Sequence, residues 1–202
     1  PAPRADMRGA AIYAIDQQSS EALIYVYRGG TLARLGHNHV VASRNLSGRV
    51  WVHPTFERSG FEIFFPANQL LVDESEMRRA AGDDFKSDVS ASDKEGTRKN
   101  MLRPEVLDAQ RHPLITVQSV RVAGALGSPQ ITARITIRDA ARDVEVPTRI
   151  QLDGERLLAT GEFDLKQTDF GITPFSLSLG ALQVQDRLHI KFSITASRRT
   201  RT

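Results

Sequence analysis

Residues 182–195 read LQVQDRLHIKFSIT, and this stretch decides the fold. Its apolar side chains fall on alternate positions: Leu182, Val184, Leu188, Ile190, Phe192 and Ile194. Successive side chains of a β-strand point to opposite faces of the sheet, so this alternation is typical of a strand with one buried face and one face in water. The stretch is long enough to cross a β-barrel.

The same alternation recurs on both sides of this stretch. In the second half of the chain it covers residues 115–117, 131–137, 144–152 and 157–165, and in the first half residues 12–15, 23–27, 46–52 and 61–65. Short connections rich in Gly, Ser, Asn, Asp and Pro separate these segments and favour sequential hairpins. The sequence therefore predicts an all-β fold: an antiparallel, lipocalin-like barrel of eight strands, up to ten.

Residues 68–109 interrupt the alternation with a run of charged residues and helix formers. Predicted helix starts are Asp73 or Ser75 for a first helix and Ser90 or Ser92 for a second, with Glu95 completing a capping box after Ser92. Pro104 is expected near the start of a third short turn over residues 104–109. We expect this helical insertion to lie across one side or mouth of the barrel. It either plugs that end or gates a ligand.

The composition of the chain limits the number of domains and excludes several classes of partner and chemistry. The 202 residues fit one domain over 1–202, with 27 basic and 24 acidic residues giving a net charge of +3. Aromatic residues make up only 6% of the chain and fall mostly on inward phases, which argues against a nucleic-acid partner. No run of about 18 apolar residues exists to cross a membrane as a helix. The absence of cysteine excludes disulfides and thiolate chemistry.

The first six residues, PAPRAD, have the appearance of a mature end left after signal-peptide cleavage. A trimmed chain would look the same. On this reading the protein is expected to be periplasmic or secreted.

Two histidines are the best candidates for polar chemistry. On a strand, His37 and His39 would share a face with Leu35 and Val41, and that phase is predicted to face inward. A metal site would need a third or fourth ligand, which the spacing does not supply, so they are predicted to be hydrogen-bonded wall residues or contacts for a ligand head group. No nucleophile elbow, zinc-protease motif or phosphate loop is present, and the sequence predicts a binding protein, not an enzyme.

Three segments carry a resemblance to a known family. Residues 35–39 (LGHNH) followed by 46–50 (LSGRV), residues 107–115 (LDAQRHPLI) and residues 165–172 (LKQTDFGI) resemble, in the same order, motifs of the YceI-like family of bacterial polyisoprenoid-binding barrels. The charged stretch 73–98 is longer than the family pattern, and the His37-Asn38-His39 triplet is a variant of it.

The resemblance implies an exported eight-stranded barrel that binds, stores or carries a long isoprenoid, quinone or similar lipid in its interior. No cofactor is implied beyond that lipid, and a monomer and a homodimer are both compatible with it. The expected ligand-binding residues are Leu35, His37, Asn38, His39, Phe61, Ile63, Phe65, Val117, Phe163, Phe170, Ile190 and Phe192. Two alternatives stay open: a histidine-dependent metal or redox-associated protein using His37 and His39, and a filled barrel acting as a protein-interaction module.

Overall fold

The alternating stretch at 182–195 lies within the longest strand of a computed structural model that describes residues 7–198. The strands are β1 (Ala11–Ile15), β2 (Glu21–Gly29), β3 (His39–Ser43), β4 (Ser47–Val52), β5 (Gly60–Pro66), β6 (Leu71–Val72), β7 (Leu114–Ala125), β8 (Ser128–Ile137), β9 (Ala140–Glu145), β10 (Thr148–Leu152), β11 (Arg156–Lys166), β12 (Ser176–Leu177) and β13 (Leu182–Arg198). The helices are α1 (Ser75–Ala81) and α2 (Ala91–Met101). Along β13 the predicted apolar face is confirmed, because its side chains from Val184 to Ile194 line the interior.

The thirteen segments make eight crossings of one antiparallel sheet. β1 and β2 continue one another across a short 3-10 turn, and so do β3 with β4 and β5 with β6 across short breaks. β9 and β10 likewise form one crossing, while β7, β8, β11 and β13 are single strands and β12 is a short hairpin partner of β13. The predicted all-β, eight-stranded antiparallel fold is confirmed.

The break between β1 and β2 is held by side-chain hydrogen bonds to β13. The Ser20 hydroxyl donates to the Thr195 carbonyl and accepts from the Thr195 amide, at 3.1 and 3.0 Å. Asp16 accepts from the Gln18 amide and so begins the intervening turn. Because these bonds replace missing ladder bonds, both β1 and β2 stay paired with the same edge of β13.

The ladder between β8 and the crossing made by β9 and β10 is interrupted beyond β9. Main-chain hydrogen bonds from the Val146 amide to the Ile131 carbonyl and from the Ile150 amide to the Gly127 carbonyl continue the β8–β9 register, but β8 and β10 form no continuous ladder. Pro129 of β8 lies between the two bonded residues Gly127 and Ile131 and has no amide hydrogen to donate. Pro147 interrupts the strand between β9 and β10. The barrel is therefore only partly closed at this seam between β8 and β10.

The helical insertion lies where the sequence predicts it, with corrections of detail. Ser90 caps α2 by accepting from the Asp93 amide, so the alternative start at Ser92 with its capping box is wrong. α1 begins at Ser75, and Asp73 is instead a buried residue that directly follows β6. Turns occupy residues 104–107 and 109, as expected for a short turn beginning near Pro104, whereas β6 lies inside the range predicted to be helical.

The two helices of the insertion lie at different places on the barrel. Met77 and Phe85 pack on Val40 and Ala42, which face outward from β3 because His39 and Val41 line the cavity, so α1 lies on the outer face of the wall. α2 and the turns after it cover the end at which β3 begins. Farther along, Leu102 and Leu107 pack around Ala67, Ala109 and Ile115. Neither helix among the described residues is long and apolar enough to cross a membrane. Residues 1–6, on which the prediction of export depends, lie outside the described residues, and a single domain over 1–202 stays a prediction.

The packing of β11 between β10 and β13 is sensitive to side-chain volume at Gly161. A Cβ on this residue would lie 2.1 Å from the Pro147 carbonyl oxygen and 2.7 Å from the Phe192 ring. We expect Gly161→Ala to lower the free energy of unfolding by roughly 2 kcal/mol, measured by urea titration of Trp51 fluorescence, because the backbone must move. The matched control is Gly96→Ala in α2, where a Cβ meets nothing within 4 Å and should stabilise by about 0.5–1 kcal/mol. Equal stability of the two variants would contradict the tight contact.

Candidate functional site

The inward faces of the strands enclose a cavity of about 350 Å³. This volume lies in the range of small-molecule sites, roughly 300–1,000 Å³. Its walls come from almost every strand of the ring, and α2 with the turns that follow it closes one end. An eight-stranded barrel is just wide enough for side chains to fill or for one slender ligand to enter, and this barrel leaves space.

The cavity wall is apolar except at the end that α2 covers and at Thr148, which lies opposite the middle of β11 and whose hydroxyl donates to the Val146 carbonyl. Among the described residues no charged side chain lines it, and its polar lining residues are His39, Thr97, Asn100, Thr148 and Gln167. His39 begins β3, Thr97 and Asn100 lie on α2, and Gln167 directly follows β11. All four belong to the helix-covered end, so a bound molecule would meet hydrocarbon along most of its length and polar groups at one end.

His39 is held in place by a buried carboxylate. Its ring nitrogen Nδ1 lies 2.6 Å from Oδ2 of Asp73, whose side chain is fully buried. The other oxygen, Oδ1, accepts from the Val40 amide at 2.9 Å. Asp73 has a positive φ of 53° and its amide donates to the Val40 carbonyl, so the backbone as well as the side chain fixes it beside the start of β3.

Arg78 of α1 neutralises this carboxylate. Its Nη1 donates to Oδ1 of Asp73 at 2.7 Å and to the Asn38 carbonyl, and its Nη2 donates to the Ser87 carbonyl. The guanidinium is itself buried. A buried ion pair is tolerated when both partners are also hydrogen-bonded, as they are here. The group Asp73, Arg78 and His39 thus ties the helical insertion to the barrel wall.

The environment of Asp73 sets the hydrogen-bonding role of His39. Burial alone would raise the pKa of Asp73, but hydrogen bonds from His39, the Val40 amide and Arg78 outweigh it and hold that pKa below its ordinary value. Asp73 is therefore an acceptor-only carboxylate at neutral pH, and Nδ1 of His39 must carry the proton between them. The other ring nitrogen, Nε2, makes no hydrogen bond to any described residue and belongs to a side chain that lines the cavity.

An antiparallel eight-stranded ring with an apolar interior and a helical cover agrees with a sequence-family model, that of the YceI-like domain, which matches residues 13–196. The chain belongs to the YceI-like family. Among curated protein sequences there is no significant match.

Solved structures of YceI-like architecture superpose on nearly the whole chain. BcnA of Burkholderia cenocepacia is 16% identical, with a TM-score of 0.66 over 91% of this chain and 99% of that one. A polyisoprenoid binding domain from Saccharophagus degradans, implicated in plant cell wall breakdown, is 11% identical, with a TM-score of 0.63 over 93% and 98%. The YCEI protein of Campylobacter jejuni is 11% identical, with a TM-score of 0.53 over 77% and 82%. At these identities the likeness concerns the fold.

Most of the apolar residues expected at the site lie on the cavity wall. They are Phe61, Ile63, Phe65, Val117, Phe163, Ile190 and Phe192, together with His39. Their alternation along β5, β7, β11 and β13 brings them to one interior although they are far apart in sequence. Contact of these side chains with a ligand stays a prediction.

Three other expected residues lie away from the cavity, because β3 begins only at His39. Leu35 ends a 3-10 turn and is 68% exposed, so the predicted inward phase is wrong there. His37 contacts the Ser87 hydroxyl at 3.2 Å and is not on the strand. Asn38 accepts from the Arg28 amide and donates to the Asp84 carbonyl, which holds the loop in place.

Phe170 also differs from its expected position. It is buried at the end of a 3-10 turn and packs with Ile135 and Ile172 in the core, and it does not line the cavity. The turn that follows β11 ends the strand before Phe170, so the strand phase no longer applies to it. In the described residues no three His, Asp or Glu side chains gather into a group that would hold a metal ion.

Sequence reasoning missed Asp73 and Arg78. Both lie in the charged stretch 73–98, for which the sequence predicts only a helical insertion, and neither has a motif spacing with His39. The only local signal was Asp73 directly after the apolar pair Leu71-Val72. That signal predicts the end of a strand, but not the partner of the carboxylate.

The burial of Asp73 generates a pH-dependent prediction. Asp73→Asn leaves Arg78 buried without its counter-charge and should cost roughly 3 kcal/mol of unfolding free energy at pH 7. Because the folded pKa of Asp73 is below its unfolded value, this stabilisation is present above the unfolded pKa of about 3.9 and is lost as the pH falls through the folded pKa. The difference between wild type and variant, measured by urea titration from pH 7 to pH 3, should shrink below about pH 4.

The matched control is Asp143→Asn. The pKa of Asp143 is also lowered, by its hydrogen bond from Arg134, but its carboxylate is exposed and its pair contributes little. A difference for Asp73→Asn that stays constant with pH, or that equals the difference for Asp143→Asn, would contradict a buried carboxylate at this position.

Proposed function

We propose that this protein binds one long apolar lipid, of the isoprenoid or quinone type, inside the barrel and stores or carries it. The observation behind the proposal is the cavity, which is apolar along its walls and polar at one end. Membership of the YceI-like family supports it, as does the structural neighbour from Saccharophagus degradans that is described as a polyisoprenoid binding domain.

The physical basis of binding would be burial of hydrocarbon. Each methylene group moved from water into an apolar site contributes about 0.8 kcal/mol, so an isoprenoid chain of several units gains enough to bind with one or two polar contacts. Binding strength would then depend on how much of the chain the cavity covers. A charged ligand tail would find no counter-charge among the described lining residues.

His39 is the proposed contact for the polar head of the lipid. With the Nδ1 proton shared with Asp73, Nε2 of a neutral imidazole is a bare acceptor. This favours a head group that donates a hydrogen bond, such as the hydroxyl of a prenol or of a reduced quinone. The amide of Asn100 and the hydroxyl of Thr97 lie on the same end of the wall and offer further polar contacts.

The structure gives less support to the two alternatives. In a metal or redox role His37 and His39 would act together, but their ring centroids are 6.4 Å apart and each has its own partner, Ser87 and Asp73. A protein-interaction module with a filled barrel would not need the interior space of about 350 Å³. A binding role without catalysis is therefore the proposed function, and residence outside the cytoplasm, expected from the family, is part of the proposal.

Filling the cavity tests the proposal. Ala159 lines the cavity from β11, and its neighbour Thr160 faces the other side of the strand. We expect Ala159→Phe to abolish retention of lipid, detected by organic extraction and mass spectrometry of protein purified from its native host, while Thr160→Phe retains it. Folding of both is checked by urea titration. If wild-type protein yields no lipid, or if Ala159→Phe keeps it, the interior is not the binding site.

Exchange of the histidines tests the head-group contact. His39→Ala should weaken binding of a short-chain prenol by roughly 1–3 kcal/mol, because the buried hydroxyl loses its acceptor, and should leave binding of the corresponding hydrocarbon unchanged. His37→Ala, two residues away and outside the cavity, is the matched control and should change neither. Affinities are measured by displacement of a fluorescent lipid probe. Equal loss for prenol and hydrocarbon would show that His39 acts only on stability.

A further inference from the structure

Two loops at the helix-covered end expose leucine side chains to solvent. Residues 30–38 connect β2 with β3, and residues 171–181 lead into β13. Leu32, Leu35, Leu177 and Leu179 are 38%, 68%, 50% and 109% exposed. Among the described residues only Leu114 and Val120 are comparably exposed large hydrophobic side chains, so these two loops concentrate the apolar surface of the protein.

The two loops form one continuous surface. The Leu32 amide donates to the Ala181 carbonyl at 2.7 Å. A Cβ on Gly30 would lie 2.5 Å from the carbonyl oxygens of both Gly180 and Ala181, and one on Gly36 would lie 2.8 Å from Leu182. Contact this close with backbone atoms, together with a φ of 87°, requires glycine at position 30. We call the surface made by Leu32, Leu35, Leu177 and Leu179 the leucine rim.

Leu179 has an unfavourable backbone conformation that folding does not explain. Its φ and ψ of 55° and 37° lie in the left-handed region, which disfavours an L-residue with a side chain of this size. The side chain is fully exposed and therefore gains nothing from burial within the chain. A glycine would suit this conformation better, and burial of the side chain within the described residues does not compensate for it.

The two segments that form the leucine rim contain few charged residues, which favours some kinds of partner over others. No charged residue occurs from residue 170 to residue 185, in a chain that is 25% charged. In residues 29–38 the only charged residue is Arg34, which is exposed. These two segments thus carry one cation and no carboxylate of their own. The Arg28 guanidinium adds a second cation, because it donates to the Gly36 carbonyl, and the nearest acidic segment is the turn at Asp84, whose carbonyl accepts from Asn38. An apolar surface with two arginines suits an anionic lipid surface.

The rim also adjoins the cavity. Phe175 and Val184, on the segments that carry Leu177 and Leu179, line the cavity, and the Val184 amide bonds to the Phe175 carbonyl. If the cavity takes a long isoprenoid, as proposed above, that ligand resides in membranes because it is almost insoluble in water. We propose that the leucine rim inserts into the boundary between head groups and acyl chains of a bilayer, with Arg34 on anionic head groups, and that the ligand exchanges there.

A second copy of this chain fits the rim less well. The four leucines together expose less than three complete leucine residues. A stable protein interface of standard size buries roughly 800 Å² on each partner, which the rim alone does not provide. Insertion into a bilayer needs no such area, because a few apolar side chains and a cation suffice for reversible binding.

Flotation with vesicles of phosphatidylethanolamine and phosphatidylglycerol tests the proposal. Wild-type protein is expected to float with the vesicles. Leu35→Ser/Leu179→Ser should bind at least roughly tenfold more weakly, because two leucines no longer leave water. Leu114→Ser/Val120→Ser, which removes two exposed apolar side chains elsewhere, should bind like wild type. Arg34→Glu should weaken binding only when phosphatidylglycerol is present.

A second measurement separates this proposal from the proposed function. A fluorescent prenol delivered from cyclodextrin should load wild type and Leu35→Ser/Leu179→Ser equally, whereas loading from vesicles should be slower only for the rim variant. Wild-type protein that loads from cyclodextrin but does not float overturns the rim proposal alone. Wild-type protein that floats but never loads overturns the proposed ligand and leaves the membrane surface supported.

Sedimentation equilibrium tests whether a second copy of this chain, and not a membrane, binds the leucine rim. Wild-type protein that is dimeric, becomes monomeric in Leu35→Ser/Leu179→Ser and does not float would show that the rim joins two copies, and the proposal would be wrong. Equal flotation of the rim variant and the Leu114→Ser/Val120→Ser control would also overturn it. Equal urea midpoints for all variants ensure that loss of binding is not loss of folding.

Discussion

The structure depends on main-chain pairing along both edges of β13. This 17-residue strand pairs with β11 along one edge, and with β2 and then β1 along the other. The first and last parts of the chain are thereby joined, and the apolar phase of β13 fixes which side of its neighbours is the interior. A shift of one residue in this register would turn Ile190 and Phe192 outward. The cavity exists because all neighbouring strands share this phase.

Much of the fold could be predicted from the sequence because period-2 alternation is a local property of each strand. The β13 stretch, the inward faces of β8 and β11 and the N-cap at Ser90 all needed only near neighbours. Strand breaks were less accessible, since the turn after Asp16 is held by Ser20 and Thr195, which are 175 residues apart. The partial closure between β8 and β10 likewise depends on two prolines from different segments.

Residues of the candidate site could be predicted only on strands, where the alternation of side chains determines which of them face the cavity. Phe61, Phe163 and Phe192 face the cavity as their phases require, whereas Leu35 and Phe170 lie in 3-10 turns where phase has no meaning. The hydrogen-bond partner of His39, Asp73, could not be predicted from the sequence for another reason. The sequence of a charged stretch does not show which of its aspartates is buried. Only the packing of α1, which brings Arg78 to Asp73, identifies Asp73 as the buried one.

The weak joint between β8 and β10 has a dynamic consequence. The main-chain hydrogen bonds of Val146 and Ile150 toward β8 do not belong to a continuous ladder, whereas β8 with β9 and β10 with β11 are continuously paired. We expect local opening of the barrel to begin where the ladder is interrupted. The amide hydrogens of Val146 and Ile150 are expected to exchange with solvent well before those of β13. Such exchange would mean that β8 and β10 separate transiently while the strands around β13 stay paired.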